Sequence, residues 1–230
     1  MSRRFLVTGG SQGIGAAIVH CAREHGHQVV FTGRNDAHIK KTADATGAIG
    51  IKADVSNDAD NERIVEHCVK TMKGIDVLIN NAAFGYNAPI GTIDMQKMRD
   101  LFATNVFGMV DLTNRVAPLM KAQAEGDIVN IASTSGMKGA AGATVYAGSK
   151  WAIRGITQCW QADLRPSGIR VIAICPSEVQ TNWMGKSGRN NPNKLYANDI
   201  ATTIMHAVSM PRHVLWTELA VFATNPWKED

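Results

Sequence analysis

Tyr146 and Lys150 are the pair in this chain best suited to moving a proton. They lie in a stretch, Tyr146–Arg165, whose pattern predicts a helix, and their i, i+4 spacing puts both side chains on one face, a turn apart. A free tyrosine titrates near pH ~10, too high to exchange protons readily at neutrality. A nearby ammonium favours the phenolate and draws that value down toward the working pH. Taken alone, a Tyr-x3-Lys pair is common and fits an ordinary surface helix better. Ser133 changes the balance, because it follows a predicted strand, Asp127–Ile131, and opens a small, glycine-rich loop, Ser133–Ala143. That loop can fold back and set the Ser133 hydroxyl beside Tyr146. Hydroxyl donors aimed at one point can stabilise an oxygen on which negative charge develops.

A second constellation lies at the N-terminus, where Thr8-Gly9-Gly10-Ser11-Gln12-Gly13-Ile14-Gly15 joins a predicted strand, Phe5–Thr8, to a predicted helix, Gly15–His25. A turn in that position lies beyond the carboxyl end of a strand and offers the free N–H groups of a helix N-terminus to a pyrophosphate. Gly9 allows the sharp turn, Gly13 lets the backbone approach phosphates, and Gly15 lets the helix pack close to the strand. The spacing is Gly-x3-Gly-x-Gly, not the commoner Gly-x-Gly-x-x-Gly, and a glycine turn can also be plain structural punctuation. The next strand ends Phe31-Thr32-Gly33-Arg34. Gly33 offers no carboxylate to a ribose 2′-hydroxyl, while Arg34 offers a planar guanidinium to a 2′-phosphate. The expected cofactor is therefore NADP(H) in preference to NAD(H).

These groups need a scaffold, and the chain alternates short apolar runs with longer helical ones from end to end. Predicted strands are Phe5–Thr8, Gln28–Thr32, Ala48–Ala53, Val77–Asn80, Asp127–Ile131, Arg170–Cys175 and Leu219–Phe222. Predicted helices are Gly15–His25, Ala59–Met72, Met95–Lys121, Tyr146–Arg165 and Asn198–Ser209. The strands are apolar nearly throughout, as when both sheet faces are covered. With right-handed crossovers this gives an α/β fold of the Rossmann type, a doubly wound parallel sheet flanked by helices on both faces. No repeat, low-complexity tract or linker interrupts residues 1–230, so a single domain is expected. Its least regular stretch, about 182–196, reads as a substrate loop over the carboxyl edge of the sheet.

Composition removes several other functions. The net charge is +4, and no Lys/Arg run is interleaved with aromatics, which disfavours nucleic-acid binding. Cys21, Cys68, Cys159 and Cys175 form no Cys-x2-Cys pair and read as reduced thiols, not as metal ligands. No segment approaches the roughly 18 apolar residues of a membrane span. Met1–Arg4 lead straight into an apolar stretch, leaving no room for a signal peptide, so a cytoplasmic setting is expected.

Taken in order, Thr8-Gly9-x3-Gly13-Ile14-Gly15, Asp54-Val55, Asn80-Asn81-Ala82, Asn105, Ser133, Tyr146-x3-Lys150 and Pro176-Ser-Glu-Val-Gln-Thr181 resemble the motif set of the short-chain dehydrogenase/reductase family. The resemblance implies a hydride transfer between a nicotinamide cofactor and a carbonyl or alcohol. It makes Tyr146 the general acid/base and Ser133 the group that polarises the substrate oxygen. Lys150 would tune Tyr146 and hold the nicotinamide ribose, and Asn105 would order a water that links Lys150 to a proton relay. On the cofactor side it implies Gly9, Ser11, Gln12, Gly13, Ile14 and Gly15 at the phosphates, and Arg34 at the 2′-phosphate. Asp54 and Val55 would flank the adenine, with Asn81 and Ala82 beside the ribose. Pro176, Val179 and Thr181 would lie at the carboxamide. Two positions depart from the family pattern: Ala83 and Ser177 stand where glycine is usual.

Pocket walls are expected from Phe84–Ile93, Thr134–Ala143 and Asn182–Leu195, with Phe84, Tyr86, Trp183 and Met184 as apolar candidates. Trp151 fits core or subunit packing better. Lys186, Arg189 and Lys194 can make the last loop attractive to an anion, or can simply be solvated. The C-terminal part resembles family members that act on small aldehydes, keto acids or hydroxy acids, with His213 a structural or interface residue. An oxoacyl-thioester reductase and a non-catalytic NADP(H)-binding regulator are the alternatives. The family resemblance also implies a homodimer or homotetramer.

Overall fold

The computed structural model describes residues 2–181 and 191–227. In chain order its strands are β1 (Arg4–Val7), β2 (Gln28–Gly33), β3 (Ile49–Lys52), β4 (Val77–Asn80), β5 (Gly126–Ile131), β6 (Ile169–Pro176), β7 (Val179–Gln180), β8 (Leu195–Tyr196) and β9 (Glu218–Val221). The helices are α1 (Gly13–Glu24), α2 (Asp36–Thr46), α3 (Asp58–Met72), α4 (Met95–Phe102), α5 (Met109–Gln123), α6 (Thr144–Leu164) and α7 (Ala197–Ser209). Seven strands form one parallel sheet in the order β3-β2-β1-β4-β5-β6-β9, and β7 pairs with β8 beside it. This is the doubly wound, Rossmann-type fold that the alternating pattern predicts.

Successive strand residues point to opposite faces, and both faces are dry. Phe5, Val7, Phe31, Ile79 and Ile174 pack with Ile18 and Val19 of α1 and Ile200 and Ile204 of α7. On the other face Leu6, Val30, Leu78, Ile128 and Val171 meet Ile64 of α3 and Leu112, Val116 and Met120 of α5. Side chains such as Leu6, Ile18, Ile64, Leu78 and Leu112 are wholly buried, and each such burial contributes roughly 1.5–3 kcal/mol.

Two features depart from the sequence reading. Helix α2 was not expected, because it buries little beyond Ile39 and Thr42; its start is set instead by the Asn35 side chain accepting from the His38 N–H. The segment expected as one helix, Met95–Lys121, is divided by a π-helical turn, Ala103–Gly108.

At the amino ends of the strands, Asp127 is fully buried among three arginines. Its carboxylate meets Arg170 Nε at 2.7 Å, Arg3 Nη2 at 2.6 Å and Arg212 Nη1 at 2.9 Å. Burial pushes this carboxyl up, but the Arg170 hydrogen bonds and the charges of Arg3, Arg170 and Arg212 outweigh it and hold the value below the usual range. A carboxylate whose folded value is depressed stabilises the fold above its unfolded value, near pH ~4, and that contribution is lost as pH falls through the folded value. Asp127→Asn leaves the buried Arg170 guanidinium without its counter-charge and should cost about 3–5 kcal/mol at pH 7. Urea titrations at pH 7 and at pH 4 and below should show the deficit of the variant shrinking in acid; an equal deficit throughout would exclude this electrostatic account.

Candidate active site

Strand order runs from β1 out to β3 in one direction and from β4 out to β9 in the other. The crevice beyond the carboxyl ends of β1 and β4 is therefore the topological switch point, where open sheets bind ligands. Thr8 ties its two rims together: its hydroxyl accepts from the N–H groups of Asn81 and Ala82, both at 3.0 Å. The Asn81 amide donates to the carbonyls of Thr8 and Gly9. Glycine is required at Gly15, where a Cβ would lie 2.2 Å from the Gly9 oxygen. Gly13 has φ +58 and faces Thr181 across the opening.

A cavity of about 710 Å³ follows from these rims. Gly9, Ser11, Gln12, Gly13, Ile14, Gly15, Arg34, Asp54, Val55, Asn81, Ala82 and Thr181 all line it. Ala83, with its extra methyl group, does so too. Pro176, the last residue of β6, and Val179, which packs against the core on the α1 and α7 side, are not in the lining. Asn35, His38 and Gln180 border the cavity and were missed from sequence, the first two because α2 itself was missed. Arg34 is largely exposed at the rim, with Nη1 3.5 Å from Asp54.

The proton-handling groups Ser133, Tyr146 and Lys150, the last two also expected at the cofactor, are not part of that lining; Lys150 adjoins it through a small cavity shared with Val55, Ala82 and Thr104. Tyr146 and Ser133 share a side-chain hydrogen bond, so the loop does fold back as its composition suggested. Ser133 Oγ also accepts from the Ser135 N–H at 3.1 Å. Lys150 Nζ lies 5.7 Å from the centre of the Tyr146 ring and donates to the Ile131 carbonyl at 2.8 Å. Burial pushes the Tyr146 phenol above its ordinary value, and the Ser133 bond draws it only part of the way back. The same burial pulls the Lys150 ammonium down to about 8. This corrects the simple picture in which a lysine charge lowers the tyrosine. In the chain alone, desolvation governs both groups and keeps the phenol in its protonated, proton-donating form at neutral pH.

Asn105, in the π-helical turn, is buried and its side chain is committed to the protein. Its Oδ1 accepts from the Phe84 N–H, and its Nδ2 donates to the Phe84 carbonyl and to Ser149 Oγ. Ser149 Oγ in turn donates to the Tyr146 carbonyl. Asn105, Lys150, Thr104 and Asn80 also line a cavity of about 10 Å³, room for one water molecule. Asn80 Oδ1, in the same lining residue, is buried without a hydrogen-bond partner.

The residues expected in the substrate wall fall in different places. Phe84 lines the large cavity, whereas the Tyr86 hydroxyl accepts from the Asp94 N–H and braces the start of α4. Trp151 is half exposed, so it is not a core residue. Lys194 is not a free cation, since it pairs with Glu178 at 3.0 Å. Trp183, Met184, Lys186 and Arg189 lie outside the described residues.

Among the described residues no cluster of His, Cys, Asp and Glu could hold a metal ion, and no helix is long and apolar enough to cross a membrane. Comparison with known proteins points one way. The family model described as short chain dehydrogenase matches residues 3–192. An oxidoreductase of Staphylococcus aureus (strain USA300) is 29% identical over 219 residues, covering 94% of this chain and 95% of that protein. Serine dehydrogenase from Escherichia coli has a structure similar to this one, with a TM-score of 0.85, 27% identity, and coverage of 95% and 96% of the two chains. The closed form of serine dehydrogenase complexed with NADP+ gives a TM-score of 0.88 at 28% identity, over 95% of this chain and 94% of that one.

Proposed function

The chain belongs to the short-chain dehydrogenase/reductase family, and on that premise we propose that it is an NADP(H)-dependent oxidoreductase interconverting a small carbonyl compound and its alcohol. The observation that carries this reading is the Ser133–Tyr146 hydrogen bond, set beside Lys150, whose small cavity shares Val55, Ala82 and Thr104 with the lining of the dinucleotide-sized one.

The lining suits the cofactor. Its turn is shaped by the positive φ of Gly9 and Gly13 and by Gly15, where a Cβ would strike the Gly9 carbonyl, and the first turn of α1 supplies N–H donors. Arg34 would meet the 2′-phosphate, Asp54 and Val55 would flank the adenine, and Asn81 and Ala82 would lie by the ribose, with Thr181 opposite. When bound, the nicotinamide supplies or accepts the hydride at the substrate carbon. Ser133 donates a hydrogen bond to the substrate oxygen, and Tyr146 passes its phenolic proton to that oxygen as charge builds there. Lys150 would hold the ribose, and the small cavity that it shares with Asn105 has room for a water through which it would replace the proton that Tyr146 gives up.

Small keto acids, hydroxy acids, aldehydes and ketones are the substrate class, supported by the likeness to serine dehydrogenases. Two copies pairing through α4, α5 and α6 would cover Met95, Phe107 and Trp151, all exposed in one chain; a homodimer or a homotetramer built from such pairs is the assembly we favour. The four cysteines are free, two of them buried, which supports a reducing, cytoplasmic setting. The test is NADPH consumption across a panel of small carbonyls and a 3-oxoacyl thioester. Turnover confined to the thioester would shift the substrate class, and binding without any turnover would favour a cofactor-sensing regulator.

A further inference from the structure

Two residues outside the proposed chemistry converge on the turn that carries Ser133. Arg154 lies one helical turn beyond Lys150 on α6, on the face that carries Tyr146. Its Nε and Nη2 grip the two oxygens of Glu218 at 2.7 and 2.8 Å, and its Nη1 donates to the Gly136 carbonyl at 2.5 Å. Gly136 closes the turn that Ser133 opens, because its N–H donates to the Ser133 carbonyl at 2.9 Å. Glu218 is held in turn by β9, where it stands opposite Ala173 of β6.

The fit allows little play. A Cβ on Gly136 would lie 2.6 Å from the Lys150 carbonyl oxygen, so the turn rests directly on the α6 backbone. The pair is mostly shielded from water, with 16% of the Arg154 side chain and 27% of the Glu218 side chain exposed. A forked guanidinium with each arm occupied fixes direction as well as distance, which a lysine cannot do. Neither residue lines the cofactor cavity.

We infer that the Arg154–Glu218 pair is a positioning device, clamping the Ser133 turn between α6 and the edge strand β9 so that Ser133 Oγ stays on Tyr146. The inference rests on the proposed roles of Ser133 and Tyr146. Without the clamp the turn opens and the phenol loses the bond that favours its ionised form. In alcohol oxidation, where the phenolate must take the proton, the rising limb of the pH profile then moves upward.

Arg154→Met removes the fork and keeps the bulk, and Arg154→Lys keeps the charge with fewer donors. Hydrogen exchange should rise at least about tenfold in the peptide spanning Ser133–Gly136 of Arg154→Met, with the Gly9–Gly15 turn unchanged. The kcat profile for alcohol oxidation should move up by about half a pH unit or more, with Arg154→Lys between wild type and Arg154→Met. NADP+ affinity should stay within about twofold, because no cofactor contact is lost. Unchanged exchange in the Ser133 turn overturns the clamp. So does a general fall in stability with an unmoved pH profile, which would mark a simple packing pair. If wild type turns over no alcohol or carbonyl, the oxidoreductase reading fails on its own, while the exchange data still decide whether Arg154 holds the turn.

Discussion

Tyr146→Phe is expected to lower kcat for carbonyl reduction by about 10²–10⁴-fold, the usual contribution of a general acid/base. The variant keeps the ring in its buried site beside Lys150 and removes only the hydroxyl, and with it the proton and the Ser133 bond. The phenol stays protonated well above neutrality because burial outweighs the Ser133 bond, so wild-type reduction should be flat across neutral pH as far as this group is concerned. NADPH binding should be nearly unchanged, since the cradle lies on other elements. The check is single-turnover reduction together with cofactor titration by fluorescence. Retention of more than about a tenth of the rate, with chemistry limiting, would remove Tyr146 from the proton path.

Arg34→Ala should weaken NADPH binding by roughly 10- to 150-fold and leave NADH binding almost unchanged, since hydrogen bonds to charged groups contribute about 1.5–3 kcal/mol. The structure adds a reason for a large effect. Arg34 is paired with Asp54 at the cavity rim, and Asp54 is held below its usual range: burial pushes it up, but the Ser56 hydrogen bonds and Arg34 together outweigh that. Truncating Arg34 would therefore leave an ionised carboxylate at the rim proposed for the 2′-phosphate. The resting pair is no obstacle in the wild type, as exposed ion pairs contribute only about 0–1 kcal/mol. Gly33→Asp, which the sequence alone suggests as a converse test, is a poor one. A Cβ at Gly33 would lie 2.6 Å from Ser11 Oγ and 2.8 Å from Ser11 Cβ, so it disturbs the phosphate cradle as well as the charge. The ratio of kcat/KM for NADPH and NADH in wild type and Arg34→Ala decides; an unchanged ratio would contradict the role given to Arg34.

What the sequence displayed well were the features that depend on local rules. The glycines at positions 9, 13 and 15 answer backbone demands that no other residue meets, and the apolar runs of Phe5–Val7 or Val77–Ile79 can only be strands covered on both faces. The spacing of Tyr146 and Lys150 is likewise a helix rule written in the chain. Long-range matters were hidden. Helix α2 carries too few apolar residues to show a period, so His38 and Asn35 escaped notice. The π-helical turn around Asn105 lies within a continuous helical pattern and is invisible to it. The charge state of Lys150 depends on a dry environment assembled from distant segments. Lys194 reads as a free cation until Glu178, earlier in the chain, is seen to meet it. Arg154 and Glu218 are 64 positions apart and have no common motif.

The central claim is a hydride transfer in which the protein supplies the proton. Its most direct test uses NADPH deuterated at C4 of the nicotinamide, in each diastereomeric form, with wild type and a carbonyl substrate found by the panel. One form should deliver a single deuterium to the carbinol carbon of the product, in step with cofactor oxidation, while the hydroxyl proton comes from solvent. Cofactor oxidation with no deuterium on the product carbon from either form would contradict the account.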